Sequence, residues 1–296
     1  MPWLQLHIQT EQQYVESLSD LLSKLGALSV TYQDAADQPL FEPPPGETPL
    51  WSDTLLTGLF DTNQDLDHIA AQIRHQASNQ ITAMRSEILE DKDWVREWMD
   101  NYHPLQFGDS LWIVPSHRAP PDPAATNILL DPGLAFGTGT HPTTAMCLTW
   151  LAGQDLRGQR VIDYGCGSGI LAIAAAKLGA DDIIAIDNDP QALLATQANA
   201  EKNTVTDYIS CQGVQTPIDG ECDLLLANIL AGPLIQLAPL FASLVKTGGQ
   251  LVLSGILPEQ AEAVASAYLP WFDFEPTYQS DDWVRLSAQR NPQPPD

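Results

Sequence analysis

From about residue 151 this chain alternates strand-like apolar runs with helical runs, and that alternation limits its fold more than any other feature. "RVIDYGCG" is an apolar run ending in glycines, and "SGILAIAAAKLGA" is a small-residue helix closed by Gly179. "DIIAIDND" is a strand, residues 190 to 203 a helix, and "DYISCQG" and "CDLLLANI" two further strands. "AGPLIQLAPLFASLVKTGG" reads as a helix stopped by its two glycines, followed by the strand "QLVLSGI" and a helix over 258 to 269. "FDFEPTYQ" and "DWVRLSAQ" close the pattern as a hairpin. Strands and helices in alternation build a parallel α/β sheet with helices on both faces.

The first ninety residues follow another rule. "WLQLHIQ" alternates like a strand, and residues 11 to 25 place Tyr14, Val15, Leu18, Leu21, Leu22 and Leu25 at helical spacing. "ALSVTYQD" is a second strand, and the Pro-rich "DQPLFEPPPGETPLWSD" a surface loop. "TLLTGLFD", a helix over 65 to 77 and "ITAMRSEILE" repeat strand–helix–strand, which predicts a small ferredoxin-like α+β domain over 1–90. A helical connector is expected over 91–108. There Trp94, Val95, Trp98 and Met99 share one face, as packing residues in the first instance, and Pro104 ends the run. A second domain is expected over 109–296, opening with two strand-like runs around a Pro-rich turn in "LWIVPSHRAPPDPAATNILLD".

Charge narrows the partners. With 13 Lys and Arg against 38 Asp and Glu, the net charge of −25 repels phosphate backbones and argues against a direct nucleic-acid partner. The same field suits a basic partner, or solubility alone. No apolar run is long enough to span a bilayer and no signal peptide is legible, so the reading is cytoplasmic, with no membrane partner. Cys147, Cys166, Cys211 and Cys222 share no metal-binding or redox spacing and read as buried reduced thiols, and the six histidines are scattered; no metal is expected.

Gly165, Gly167 and Gly169 lie where the first strand of the second domain turns into its helix, where backbone N–H groups approach a ligand closely. A tight turn needs glycine anyway, but Asp187 ends the next strand, where a carboxylate accepts hydrogen bonds from both hydroxyls of a ribose. Position 170 is Ile, so the dinucleotide fingerprint G-x-G-x-x-G is broken, and no P-loop occurs. An adenosine ligand without phosphates fits better. Asp163 has two readings: a carboxylate that repels pyrophosphate and welcomes an ammonium group, or a hydrogen-bond partner of the neighbouring helix.

"VIDYGCGSG", "IIAIDND" and the closing hairpin resemble the class I S-adenosylmethionine-dependent methyltransferases. The resemblance implies a seven-stranded Rossmann-like methyltransferase domain, with Gly165 and its neighbours at the methionine part of the cofactor and Asp187 at the ribose. Asn228 ends the fourth strand in "ANIL", where N-methylating members carry Asn-Pro-Pro-Tyr or a relative; there its oxygen accepts a proton of the target nitrogen and aims the lone pair. Ile229 and Leu230 replace the proline and aromatic residue on which a flipped base would stack. The bland alternative for Asn228 is a turn residue.

Three segments together, "LDPGLAFGTGTHPTT", the upstream "DWVREWM" and the downstream "ANILAGPL", resemble the methyltransferase family of ribosomal large-subunit protein 11 along the whole chain. The resemblance implies that S-adenosylmethionine is the methyl donor. It implies that lysine side chains and the N-terminal amine of that basic ribosomal protein are the acceptors, and that the N-terminal domain recognises the substrate. Thr144, with Thr143 beside it, would contact the cofactor; alternatively Thr140 or Thr143 caps the following helix. Asn228 would be both catalytic and in contact with the cofactor. The rival readings are a small-molecule or nucleic-acid N-methyltransferase and a non-catalytic S-adenosylmethionine binder.

Overall fold

The computed structural model describes residues 3–36, 38, 49–89, 102–131 and 139–292. The connector helix expected near Trp94 and Trp98 lies outside the described residues, as does most of the glycine-rich loop, 132–138. The chain divides into two compact units, Met1–Trp98 and Met99–Asp296.

The first unit runs β1 (Trp3–Glu11), α1 (Val15–Lys24), β2 (Ser29–Asp34), β3 (Asp53–Phe60), α2 (Leu66–Ala77) and β4 (Ala83–Leu89). Its strands form one antiparallel sheet in the order β2-β3-β1-β4, the ferredoxin-like arrangement expected. Alternate residues Leu6, Ile8, Leu56 and Phe60 face Val15, Leu18 and Leu22 of α1 and Ile69 and Ile73 of α2 in a closed core. Asp65 starts α2 by accepting the His68 N–H at 3.0 Å. The helix expected from residue 11 begins instead with a 3-10 turn at Gln12–Tyr14.

The second unit begins with β5 (Leu105–Phe107), β6 (Leu111–Val114) and β7 (Thr126–Leu129), a small sheet in which β6 and β7 run parallel. Then follow α3 (Pro142–Leu151), β8 (Arg160–Tyr164), α4 (Ile170–Lys177), β9 (Asp182–Asp187), α5 (Pro190–Lys202), β10 (Ile209–Gly213) and β11 (Cys222–Asn228). The unit ends with α6 (Ala231–Leu244), β12 (Val245–Ile256), α7 (Ala261–Tyr268), β13 (Phe272–Phe274), β14 (Tyr278–Ser280) and β15 (Trp283–Arg290). The main sheet has the order β10-β9-β8-β11-β12-β15-β13, with β14 added on β15. It is parallel from β10 to β12 and antiparallel where β15 meets β12 and β13.

Adjacent residues of one strand serve opposite cores. Val161, Ile183, Leu224 and Leu226 face α3, α4 and α5, while Ile162, Ile184, Ile186 and Leu225 face α6 and α7. Strands buried on both faces read as continuous apolar runs, which is why they were legible. The chain winds outward from β8 to β10, then returns to place β11 on the other side of β8. The carboxyl ends of β8 and β11 therefore flank a topological switch point, where open α/β sheets bind ligands.

Two expectations are corrected here. α6 ends at Leu244 and not at the glycines, because Val245 already pairs with Cys222. Gly249 serves the irregularity that follows: a Cβ there would lie 2.9 Å from the Lys246 carbonyl oxygen and 3.0 Å from that of Asp223. Cys211 is exposed, whereas Cys147, Cys166 and Cys222 are buried. Among the described residues no helix is long and apolar enough to cross a membrane.

Candidate active site

The turn from β8 to α4 is held by its neighbour strand. The N–H groups of Gly165 and Cys166 both donate to the Ile186 carbonyl, at 2.8 and 3.0 Å. Gly165 has φ +81°, and a Cβ on it would lie 2.2 Å from Cγ2 of Ile229, so the residue after Asn228 seals the back of the turn. Gly169, at φ +79°, caps α4 against Thr196. Asp187 closes β9. One of its carboxylate oxygens accepts the Gly167 N–H at 2.9 Å and the other the Asp189 N–H at 3.0 Å, which aims the carboxylate along the glycine turn. Each oxygen keeps a lone pair for a further donor.

Two adjoining cavities open over these strand ends. The smaller, ≈ 220 Å³, is lined by Thr144, Gly165, Cys166, Gly167 and Asp187. The larger, ≈ 640 Å³, is mostly apolar, with Tyr164, Val214, Pro233, Leu237 and Trp283 in its walls. Gly165, Asp187, Asn188, Asn228 and Ile229 belong to both. Asn228 donates from Nδ2 to Thr144 Oγ1 at 3.1 Å, joining the end of β11 to the first turn of α3. Thr144 is fully buried and Thr143 nearly so. The cap of α3 is neither Thr140 nor Thr143 but His141, whose ring accepts the Thr143 N–H at 3.4 Å and lies 2.7 Å from the Thr143 hydroxyl. Its ring also packs edge-on against Trp283, with centroids 5.1 Å apart. Burial lowers the His141 pKa, so the neutral ring that a cap requires is favoured.

Asp163 lies behind the cavity walls. It is 1% exposed, and Oδ2 accepts the Ala172 N–H at 2.9 Å, the helix-partner reading of this residue. Its Oδ1 is buried without a hydrogen-bond partner among the described residues. Burial pushes its pKa up to about 7; the Ala172 N–H opposes that rise and Asp187 adds to it.

A family model described as ribosomal protein L11 methyltransferase (PrmA) matches residues 2–291. The chain belongs to this family. Methyltransferases of the same description from Marinobacter nauticus and Shewanella sediminis are each 54% identical to it, over 98% of this chain and 99% and 100% of theirs. A solved ribosomal protein L11 methylase from Lactobacillus delbrueckii subsp. bulgaricus is 35% identical, with a TM-score of 0.59 over 64% of this chain and all of that one. The family and fold expected from the glycine turn, the acidic strand end and the loop before α3 are thereby established, and the chain is an enzyme of the methyltransferase class.

In this chain the structure brings together five residues singled out in the sequence: Thr144, Gly165, Gly167, Asp187 and Asn228. Gly169 and Asp163 support the turn without lining either cavity. Sequence reasoning missed Asn188, Tyr164, His141 and Trp283 as wall residues. Asn188 and Tyr164 were within reach, since each neighbours a strand end already marked. His141 and Trp283 carry no local signal, because they meet only through the fold.

Proposed function

We propose that this enzyme transfers methyl groups from S-adenosylmethionine to lysine side-chain amines and the N-terminal amine of ribosomal protein L11. The supporting observation is the place of Asn228: it stands in the wall common to the two cavities, tied to Thr144 through Nδ2 with Oδ1 left for another donor. The smaller cavity suits the cofactor. A Cβ at Gly165 would meet Ile229, the buried Asp163 carboxyl holds the start of α4 behind the turn, and Asp187 retains lone pairs for ribose hydroxyls. Gly165, Gly167, Asp187 and Thr144 would hold it directly, with Asp163 and Gly169 behind them. S-adenosylmethionine supplies an activated methyl group on a sulfonium.

The chain's own residues then present an acceptor. Asn228 Oδ1 takes an N–H of the amine and directs its lone pair, an alignment effect. A lysine amine has a solution pKa of about 10.4 and arrives protonated at neutral pH. The apolar walls at Tyr164, Leu237 and Trp283 withdraw it from water, which favours the neutral nucleophile. The net charge of −25 favours a basic protein as partner over a nucleic acid, and a ribosomal substrate goes with a cytoplasmic site of action. Intact mass spectrometry of ribosomal protein L11 after incubation with the enzyme and S-adenosylmethionine should show steps of single methyl groups that vanish without cofactor. Asn228→Ala should slow those steps roughly 100-fold while cofactor affinity holds. An unmodified substrate beside a cofactor-saturated enzyme would reject L11 as the acceptor.

A further inference from the structure

The Asp187 carboxylate can take a ribose only while it keeps its aim, and two backbone N–H groups set that aim. Oδ1 accepts from Asp189, the N-cap residue of α5, and Oδ2 from Gly167 in the turn between β8 and α4. The first donor is set by the start of a helix. The second sits among glycines, the residues least able to hold a backbone in one conformation by themselves. Something outside the turn must hold it.

We infer that Asn199 is a positioning residue for cofactor binding: from the side of α5 it fixes the glycine turn, and through Gly167 it keeps the Asp187 carboxylate aimed at the ribose. Its Nδ2 donates to the Ser168 carbonyl at 2.9 Å, across 31 residues of sequence. A carbonyl can only accept, so the amide has one orientation here; turned by half a revolution it would set two oxygens face to face. Rigid amide planes carry the constraint onward. The plane that presents the Ser168 carbonyl to Asn199 also presents the Gly169 N–H, which donates to the Cys166 carbonyl at 2.8 Å. The plane of the Cys166 carbonyl presents the Gly167 N–H, which donates to Asp187 at 2.9 Å. Hydrogen bonds thus run in one direction from Asn199 to the carboxylate, an arrangement in which each polarises the next. One turn earlier on the same face of α5, Thr196 Oγ1 lies 3.1 Å from the Gly167 carbonyl and 3.3 Å from Cys166 Sγ. The carbonyl is the stronger acceptor and takes the hydroxyl proton. Gly169, which lines neither cavity, is needed for this approach: a Cβ there would lie 2.6 Å from Thr196 Cγ2. The far end of α5 is anchored differently. Asn203, nearly fully buried, accepts the Leu129 N–H and donates to the Leu129 carbonyl, both at 2.8 Å, which fastens the helix to β7 and not to the turn.

The inference rests on the placing of the cofactor ribose on Asp187, and the experiment separates the two. The full chain carrying Asn199→Leu, Asn203→Leu, Asp187→Ala or Asn199→Leu with Asp187→Ala is compared with the unaltered protein. Two quantities are read: the affinity for S-adenosylhomocysteine by titration calorimetry, and Tm in thermal melts without it. Leucine keeps the branched shape and removes the donor. Asn199→Leu should weaken binding about tenfold, and less than about twofold further once Asp187 is alanine. Asn203→Leu should lower Tm at least as far as Asn199→Leu yet change the affinity less than about twofold. Asn199→Ala adds no bulk and should repeat the pattern if leucine prevents folding. Three outcomes would overturn the inference: Asn199 variants that bind at full affinity, Asn203→Leu weakening binding as much as Asn199→Leu, or additive losses in the double variant. The second would make the seating of the whole helix the cause, and the third would mean that Asn199 does not act through Asp187. Full affinity in Asp187→Ala alone would instead remove the placing of the ribose, and the inference with it.

Discussion

The sheet of the first unit packs both of its helices into one core, whereas the sheet of the second has a core on each face. Along the edge strands β2 and β4 no residue is buried, while β9 and β11 are buried over most of their length. On the face of the first sheet away from α1 and α2, a polar pair stands across β1 and β3: His7 Nδ1 lies 2.8 Å from Thr57 Oγ1. In the second unit a polar residue inside the sheet has a different meaning. Asp163 is buried in it beside the glycine turn, with an oxygen that has no hydrogen-bond partner among the described residues, a costly arrangement that His7 Nε2 of the first sheet shares. The one-core sheet tolerates polar residues because it has a second face for them. The two-core sheet also buries Ser254 and Ser287, but it is the polar residues that close its strands, Asp187 and Asn228, that line the site.

The sharpest test of this contrast removes the same kind of side chain from each unit. Phe60 is fully buried in the single core of the first unit and Phe241 in one of the two cores of the second. Each change to alanine should cost about 3–5 kcal/mol. In calorimetry of the full chain, Phe60→Ala should erase or lower the transition that does not respond to S-adenosylhomocysteine. Phe241→Ala should lower the transition that does. One merged transition, lowered alike by both changes, would show that the units do not melt separately.

A smaller effect is expected where the two-core sheet meets its ligand. Gly165→Ala sets a Cβ 2.2 Å from Ile229 Cγ2 at φ +81°, a clash added to about 1–3 kcal/mol of backbone strain. S-adenosylhomocysteine affinity should fall more than tenfold, as about 1.4 kcal/mol per factor of ten requires. Adding Ile229→Ala should recover the part due to the clash and leave the part due to φ. Recovery to the full affinity would show that the backbone angle carries no strain here.

The smallest effect concerns Asp163. Its folded pKa of about 7 lies above the unfolded carboxylate range near 3.9, so the folded state holds the extra proton between those values. Its contribution to stability is present in acid and is lost as pH rises from about 4 through about 7. Asp163→Asn keeps an acceptor for the Ala172 N–H and never ionises. It should melt a few degrees above the unaltered protein at pH 8.5, with the gap closing at pH 4.5, in thermal melts without cofactor. A gap independent of pH would mean that Asp163 does not titrate in this window.

Much of the site was legible because its chemistry is local. Glycines that end an apolar strand and open a helix mark Gly165 and Gly167, and an acidic residue at the next strand end marks Asp187. The loop "LDPGLAFGTGTHPTT" and "ANIL" marked Thr144 and Asn228 through family resemblance. Other features were illegible for equally physical reasons. His141 looked like one more scattered histidine because capping depends on where α3 begins, and Pro142 at its first position moved that start away from the threonines. The glycines at 248 and 249 looked like a helix stop because a stop and a strand irregularity use the same residue type.

Local order along the chain determined what each element is and which residues stand at its ends, since strand and helix periods and turn chemistry act over a few residues. Tertiary structure alone decided which of those ends meet. Parallel strands need long crossovers, so neighbours in the sheet are distant in sequence, and side chains come together by strand order and register. That is how Ile229 comes to seal the turn at Gly165, and how Thr144 comes to hold the amide of Asn228 from 84 residues away.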